Sequence, residues 1–375
     1  MSKRLNFHVY YSDIDRLVLE CIDPLMQRIE ADCERCFWER HFAGGRNVML
    51  RVLPKSRKKK KLREEILGVV KEFLDASPSK DQQDYDPEMI RILLLSESEE
   101  PEQYDLSYRN NVVMEAPYDR EKSKFASEDA ILLQEYFYSD VSPLVVSILG
   151  SGADRMTEVL KLYFLHALML KGNYPEGCIS FKSHWEGFLK GCKKHEMNSF
   201  LQNIDTFFQQ KREEIFSLML FVKDCYDRKD FSSDPTLNYW YSIESKYLAL
   251  AEDWLKDGKK ICISWNEEDI ERNAELVPEY SEYSDFLATM YQNREFMLSM
   301  INDIPFNRNR ILTNLLYLVV NAVGLPALKK FLLCFLSHKA VEDYYDCDSM
   351  VILNEIINDM TKSYNSMNDQ TGSTA

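Results

Sequence analysis

The N-terminal third of the chain changes repeatedly between the two-residue period of a β-strand and the longer period of a helix. The predicted strands are residues 5–11, 36–42, 47–53, 90–95 and 111–117. Residues 13–31 and 61–75 repeat apolar positions every three or four residues, which predicts amphipathic helices. The order of the first five elements, β-α-β-β-α, is that of a ferredoxin-like unit.

Helical spacing dominates the chain from Ser127 onward. The predicted helices lie near residues 127–149, 154–171, 181–201, 204–227, 237–257, 280–302, 308–323, 326–345 and 348–363. Residues 261–265 are typical of a short strand, and the polar tail 365–375 is predicted to be disordered. The predicted fold class is α+β: a ferredoxin-like part over residues 1–126, and a mostly α-helical part over 127–364 that forms the active-site cavity with it.

One predicted helix, within residues 310–324, is apolar apart from a stripe. Arg310, Asn314, Tyr317 and Asn321 recur at spacings of four, three and four, so they share one helical face. Thr313 is the one other polar residue between them. A helix that is apolar on its other faces is buried, and buried polar groups need partners or a ligand. The stripe predicts either a satisfied polar seam between helices or the wall of a cavity.

The charge of the chain limits the classes of partner. The formal net charge is −15, and an acidic protein repels nucleic-acid phosphate unless it carries a local basic patch. The one candidate patch is Lys55–Arg63, KSRKKKKLR. It is either the solvated start of a helix or a loop, or a binding site, for which an acidic peptide is as good a partner as RNA. The sequence shows no apolar run of about 20 residues and no signal peptide, so we expect a cytoplasmic protein without membrane or nucleic-acid partners.

No cofactor or metal site is indicated. The chain lacks the phosphate-binding glycine motifs and the zinc motif His-Glu-x-x-His. Cys33 and Cys36 form a single Cys-x-x-Cys pair without a second pair at zinc-ligand spacing, so reduced thiols are expected. His166 lies in an apolar helical run and is expected in the core, whereas His338 has polar neighbours in sequence and is expected at the surface.

Four blocks of residues occur in the order in which they stand in a known family. The first block is Val9-Tyr10-Tyr11, Pro24-Leu25, Phe37-Trp38-Glu39-Arg40, Gly44-Gly45 and Met49-Leu50-Arg51; the others are Pro117–Glu121, Lys182–Leu189 and Tyr317–Gly324. Together they resemble the C-terminal elimination domain of class I lanthipeptide dehydratases and its stand-alone relatives in thiopeptide biosynthesis. The resemblance covers most of the chain and implies the fold of that domain.

Two positions depart from the glutamate-eliminating members of this family. In those members, the resemblance implies, several Arg side chains hold a glutamyl carboxylate and a His on the late helix assists elimination. Here Met49 stands in place of the first Arg, while Arg51 and Arg120 remain, and Tyr317 stands in place of the His. A phenol with a pKa near 10 is a poor base at neutral pH but a good hydrogen-bond donor. The chain is therefore badly equipped to abstract an α-proton and expel glutamate.

The same departures resemble the thiopeptide pyridine synthases, which share this fold. That resemblance implies a formal aza-[4+2] cycloaddition between two dehydroalanines of a modified precursor peptide, with loss of water and the leader peptide to form the central pyridine. It implies the leader-bearing precursor as partner and no cofactor. Two other functions remain open: a glutamate-elimination lyase that forms dehydroalanine from glutamylated Ser, and a non-catalytic leader-peptide-binding partner.

The implied reaction needs a hydrogen-bond donor and acceptor near one amide and a proton carrier for the leaving groups. Tyr317 and His184 are the predicted catalytic residues. The predicted substrate-binding residues are Arg51, Arg120, Arg310, Asn314 and Asn321, and the predicted leader-binding residues are Lys58, Lys59, Lys60 and Lys61. The edge of the N-terminal sheet is an alternative leader site, through strand addition. In the structural alternatives, His184 braces a helix contact, the arginines pair with carboxylates, and Tyr317 is a structural hydroxyl.

Overall fold

The chain forms two compact units. The computed structural model describes residues 4–81, 85–96, 100–118, 127–190, 194–261, 267–301 and 303–372. The first unit comprises Met1–Ala153 and Asn321–Gly324, and the second comprises Asp154–Val320 and Leu325–Ala375.

The described part of the first unit contains one antiparallel sheet with the spatial order β2-β3-β1-β4. Its strands are β1 (Leu5–Tyr10), β2 (Cys33–His41), β3 (Asn47–Pro54) and β4 (Val112–Glu115). Leu50 of β3 lies opposite Phe7 of β1 on one side and Trp38 of β2 on the other. A strand inserted between β1 and β2 is the arrangement of a split β-α-β unit, so the predicted ferredoxin-like start of an α+β fold is confirmed.

The two faces of the sheet differ in polarity, because successive residues of a strand point to opposite sides. Phe7, Val9 and Leu50 are fully buried on one face. The helices that follow β1 and β3 are α1 (Ile14–Leu17), continued by a π-helical turn (Val18–Ile22) into α2 (Asp23–Ile29), and α3 (Lys59–Ala76). On the opposite face, Glu39 lies opposite Met49, next to Arg51 two residues along the strand. The second face therefore carries the pair Glu39–Arg51.

Residues 90–95 form part of a helix, not the predicted strand. Helix α4 (Pro87–Ser96) begins at a proline, and Asp86 Oδ1 accepts a hydrogen bond of 2.9 Å from the backbone N–H of Glu88. Ile90 and Leu94, one helical turn apart, are buried in one cluster with Ala43. A short apolar run fits a buried strand or a buried helix, so the pattern in the sequence does not distinguish them.

The first unit continues beyond residue 126, the expected boundary, to include helix α5 (Glu128–Gly150). Ser127 caps this helix by accepting a hydrogen bond from the N–H of Ala130 at 3.0 Å. α5 packs on β2, where the rings of Phe37 and Tyr138 stack with 5.8 Å between centroids. This apolar contact makes α5 part of the α+β unit.

The second unit consists of helices joined by short connections in the part that the structure describes. They are α6 (Arg155–Lys171), α7 (Tyr174–Gly177), α8 (Ile179–Lys190), α9 (Lys194–Arg228), α10 (Pro235–Lys256), α11 (Glu267–Glu275), α12 (Val277–Tyr280), α13 (Asp285–Gln292), α14 (Arg294–Ile301), α15 (Ile304–Ala322), α16 (Ala327–Tyr345) and α17 (Ser349–Gly372). α6 packs against α7, α9, α10 and α16 and is buried along most of its length. The last two residues of α15 belong to the first unit.

Several helix boundaries differ from the prediction. α9 runs through the predicted break near residue 203, and α8 ends at Lys190. Two helices, α13 and α14, take the place of the predicted helix 280–302, because side chains cap new helix starts. Ser284 accepts a hydrogen bond from the N–H of Leu287 at 3.1 Å, and Asn293 accepts one from that of Phe296 at 3.0 Å. Local capping therefore interrupts an otherwise continuous apolar periodicity.

The C-terminal tail is helical as far as Gly372, where disorder from residue 365 was predicted. Asn365 donates a hydrogen bond of 3.1 Å to Glu295 Oε2 of α14, and α17 packs on that helix. A tertiary contact thus extends a helix whose composition alone is too polar to favour order. The predicted strand 261–265 lies outside the described residues from position 262 onward. In the described ranges no helix has both the length and the hydropathy needed to cross a bilayer.

Candidate active site

The polar stripe follows a partly exposed face of α15. Arg310, Asn314 and Tyr317 are partly exposed, whereas Leu315 and Leu316 between them are buried. Asn321, at the end of the helix, is exposed and donates its amide N–H to the carbonyl oxygen of Arg40 at 3.4 Å, within the first unit. The first three stripe residues belong to the second unit.

The second unit brings together the two residues predicted to be catalytic. The rings of His184, from α8, and Tyr317, from α15, lie edge to face with 5.1 Å between their centroids and 77° between their planes. Nδ1 of His184 lies 2.7 Å from the carbonyl oxygen of Ser180, so Nδ1 carries a hydrogen and donates it. In the neutral ring, Nε2 is then left as a hydrogen-bond acceptor.

Tyr317 is held by residues of three neighbouring helices besides its own. Its hydroxyl lies 3.4 Å from Sγ of Cys334 on α16. The ring of Tyr163, from α6, has its centroid 6.1 Å from that of Tyr317, and Lys330 Nζ lies 5.6 Å from the same centroid. With His184 of α8 on another side, the orientation of the phenol depends on the packing of four helices.

Burial determines the charge states of the pair. It lowers the pKa of His184 below the usual 6.5; the hydrogen bond to the Ser180 carbonyl opposes this shift, and the positive charges of Lys330 and Arg310 add to it. Burial also raises the pKa of Tyr317 well above 10. At neutral pH the site therefore presents a neutral imidazole that accepts at Nε2 and a neutral phenol that donates.

Arg51 has partners within the first unit. It forms an ion pair with Glu39 of the adjacent strand, and its guanidinium carbon lies 4.3 Å from the centre of the Tyr118 ring. Its Nη2 also lies 3.4 Å from Sδ of Met49. Arg51 is therefore paired with a carboxylate, as the structural alternative to substrate binding expects. Arg120 lies outside the described residues.

A second carboxylate of the first unit, Glu135 on α5, gathers two further arginines. Its side chain is 4% exposed and pairs with Arg4 and, at 2.5 Å, with Arg35. It also accepts a hydrogen bond of 2.8 Å from the hydroxyl of Tyr118. The cavity that these residues line has a volume of about 10 Å³, room for about one water molecule. Sequence reasoning missed this cluster; its signal was one acidic residue, Glu135, within an apolar helical run.

The basic run forms the start of α3 and has partners there. Lys58 and Lys61 contact the two carboxylate oxygens of Asp32, at 3.1 and 2.9 Å. Positive charges are unfavourable at a helix N-terminus, and Asp32 compensates for them. Lys60 is 3.9 Å from Glu64 but has a side chain 90% exposed, and Lys59 precedes it in the same helix. Leader binding by these lysines stays a prediction.

The two other histidines considered above are both buried. His166 lies in the core as expected, between Glu244 of α10 and Thr313 of α15. His338 is 2% exposed, so its predicted surface position is wrong. It lies on α16, where residues 333–338 are all buried, and burial lowers its pKa. Among the described residues, no three His, Cys, Asp or Glu side chains are grouped to hold a metal ion.

Comparison with known proteins identifies the family. The family profile described as "Lantibiotic biosynthesis dehydratase C-term" matches residues 5–341. The pyridine synthase TbtD, from thiomuracin biosynthesis, has a similar structure, with 19% sequence identity and a TM-score of 0.70 over 92% of this chain and 99% of TbtD. The structure of TsrL is similar with 16% identity and a TM-score of 0.64 over 94% of this chain and 97% of TsrL. No curated protein sequence matches significantly. The chain therefore belongs to the family of lantibiotic biosynthesis dehydratase C-terminal domains.

Proposed function

We propose that this protein is a thiopeptide pyridine synthase. It joins two dehydroalanines of a modified precursor peptide by a formal aza-[4+2] cycloaddition, and loss of water and the leader peptide then gives the pyridine. The observation that carries the proposal is the neutral pair His184–Tyr317, with 5.1 Å between ring centroids. The fold shared with TbtD, which is described as a pyridine synthase, supports the same assignment. The reaction is expected in the cytoplasm, with the leader-bearing precursor as partner.

The pair suits activation of an amide. Tyr317 donates a hydrogen bond to the carbonyl oxygen of the amide that precedes one dehydroalanine, and Nε2 of His184 accepts from its N–H. Transfer of that proton from nitrogen to oxygen forms the iminol, whose C=N bond conjugates with the dehydroalanine C=C bond. The second dehydroalanine supplies two carbons, and two new C–C bonds close the six-membered ring.

Aromatisation requires two leaving groups, the hydroxyl of the former iminol and the amide of the leader peptide. Each needs a proton as it leaves. His184 is the natural carrier, because imidazole is the ring that ordinarily exchanges protons near neutrality, whereas burial raises the pKa of the Tyr317 phenol well above 10. Each elimination also releases one proton from a ring carbon, so the imidazole takes up that proton and passes it to the leaving hydroxyl or amide.

The remaining rate enhancement comes from holding both dehydroalanines in contact. Orientation of two reacting groups lowers a barrier by about 7–11 kcal/mol when the geometry is right. Arg310 and Asn314 lie on the same face of α15 as Tyr317 and are proposed to bind carbonyl groups of the peptide. Arg51, Arg120 and Asn321 are proposed for the same role; for Arg51 this requires donors that remain beside its pair with Glu39.

The runner-up, a glutamate-elimination lyase, is disfavoured by the surroundings of the arginines. Met49 is buried where the family resemblance implies a guanidinium, and Arg51 is already paired with Glu39. Glu135 holds Arg4 and Arg35, and the adjoining cavity of about 10 Å³ is too small for a second carboxylate. A non-catalytic leader-binding partner, the third possibility, would not need the neutral donor and acceptor that Tyr317 and His184 provide.

Mass spectrometry of the purified protein with two peptides separates these functions. The first peptide bears a leader and two dehydroalanines; the second bears a glutamylated Ser. We expect the first to yield free leader amide and a macrocycle that absorbs as a substituted pyridine. Loss of glutamate from the second peptide, with the first unchanged, would identify a lyase. Binding of the leader without conversion of either peptide would identify the non-catalytic partner.

A further inference from the structure

A buried polar network lies in the second unit beside the candidate active site, and the proposed chemistry does not use it. It joins His166 of α6, Glu244 of α10 and Thr313 of α15, which are 0%, 2% and 1% exposed. Polar groups buried this deeply in a helical core cost free energy unless they are hydrogen-bonded or paired with an opposite charge. Its directional contacts join the three helices to one another.

The directions of the hydrogen bonds determine where the hydrogens are. The hydroxyl of Thr313 donates its single hydrogen to the carbonyl oxygen of Asn309 at 3.0 Å. Its oxygen can therefore only accept from Nε2 of His166, 3.0 Å away. Nδ1 of His166 contacts Oε1 of Glu244. A carboxylate at Glu244 accepts from Nδ1, and in that arrangement both ring nitrogens carry hydrogens and the two side chains form an ion pair.

The carboxylate of Glu244 supports this assignment. Its second oxygen, Oε2, has no hydrogen-bond donor among the described residues. A buried carboxylate with so little solvation needs a cation beside it, and His166 is in direct contact. The ring of Phe181 is also next to His166, with 5.8 Å between the two ring centroids.

The network is connected to Tyr317 in two ways, along helix α15 and through contacts between aromatic rings. Thr313 and Tyr317 are four residues apart on α15, so they lie about 40° apart around the helix and about 6 Å apart along it. In the second route, Phe181 stacks on Tyr163 with 4.8 Å between centroids, and Tyr163 contacts the ring of Tyr317. Phe181 also precedes His184 by three residues on α8.

We propose that the ion pair of His166 and Glu244 is a positioning device for the active site. By holding Thr313, it sets the rotation of α15 about its axis and thereby the direction in which Tyr317 faces His184. His166 and Glu244 touch neither substrate nor reacting atoms, so they act only through Thr313 and Phe181. The kinetic part of this inference rests on the proposed function, whereas the hydrogen positions and the geometry of the pair do not.

The first test uses the unaltered protein. Selective ¹⁵N labelling of histidine and NMR at pH 7.5 report whether each ring nitrogen carries a hydrogen. We expect protonated-type signals from both nitrogens of His166, and from only Nδ1 of His184. A hydrogen on just one nitrogen of His166 would overturn the ion pair and with it the proposal. This measurement needs neither a substrate nor a folded variant.

The second test compares Thr313→Val with Thr313→Ser. Valine keeps the shape of threonine but removes the acceptor, whereas serine keeps the hydroxyl. We expect the ring signals of His184 to shift in Thr313→Val and not in Thr313→Ser, because the Tyr317 ring moves relative to them. We also expect kcat for pyridine formation to fall about tenfold in Thr313→Val, with KM for the peptide within about twofold of its normal value.

The two readouts distinguish the possible failures. Unchanged His184 signals in a folded Thr313→Val protein would show that the network only stabilises the core, and the positioning role would be wrong. If the unaltered protein forms no pyridine, the proposed function fails, but the NMR comparison still decides whether the network orients the pair. Glu244→Gln removes the negative charge on the other side of His166. We expect it to shift the ring signals of His184 as Thr313→Val does.

Discussion

Replacing Glu135 with Gln tests whether the arginine cluster of the first unit is structural. Glutamine keeps the shape of the side chain but leaves Arg4 and Arg35 facing a neutral amide. Removing one partner of a buried ion pair costs about 3–5 kcal/mol. The Arg4 and Arg35 side chains are 19% and 11% exposed, so some solvent reaches them, and we expect the lower end, about 3 kcal/mol.

Hydrogen exchange followed by mass spectrometry measures this loss where it occurs. Because about 1.4 kcal/mol corresponds to a factor of ten, the slowest amides of β1 and β3 should exchange on the order of a hundredfold faster in Glu135→Gln. Amides of α6, in the second unit, serve as the internal reference and should change much less. Urea denaturation followed by circular dichroism gives the accompanying change in the free energy of unfolding.

Glu39→Gln is the matched control. Among the described residues Glu39 pairs with one arginine, Arg51, and its side chain is 20% exposed, so we expect a loss of about 1 kcal/mol. A loss in Glu135→Gln no greater than in Glu39→Gln would refute the reasoning, since a carboxylate shared by two guanidinium groups and Tyr118 would then contribute no more than one partly solvated pair. In that case the arginines of the first unit would be free to serve a substrate.

Three further predictions concern the chemistry and the substrate. Tyr317→Phe should lower kcat about 10²–10³-fold while the affinity for the leader stays unchanged. Tyr163→Phe, which removes the hydroxyl of the adjacent ring, should lower kcat far less. Equal losses of kcat in steady-state assays would contradict the role of the Tyr317 hydroxyl. Because the pKa of His184 is lowered, the imidazole in the folded protein becomes protonated only below pH 6.5. We therefore expect kcat to fall as the pH drops through that lowered pKa, and we expect His184→Gln to remove this decrease from the pH–rate profile. Neutralising Lys58–Lys61 should weaken binding of an acidic leader, most strongly at low salt, and an affinity that is unchanged across a salt series in a fluorescence titration would exclude this site.

Several features of this protein follow from the sequence alone. The period of apolar residues over 5–75 determines β-α-β-β-α, because each element must turn its apolar side towards one core. The stripe Arg310–Asn314–Tyr317 follows from helical geometry once the rest of α15 is apolar. The juxtaposition of His184 and Tyr317 came from the order of blocks that resemble the family, since no local pattern relates positions 184 and 317.

Other features were decided only by tertiary structure, because they depend on residues that are distant in sequence. Residues 90–95 are helical, and this places Ile90 and Leu94 together in a buried cluster with Ala43. His338 is buried because the whole circumference of α16 is covered in the core region, which the sequence neighbours of a residue do not report. Glu135 meets Arg4 across 131 residues. Periodicity specifies which face of an element is apolar, but the partner that covers that face, and hence the charge balance and pKa of each buried group, exists only after the chain has folded.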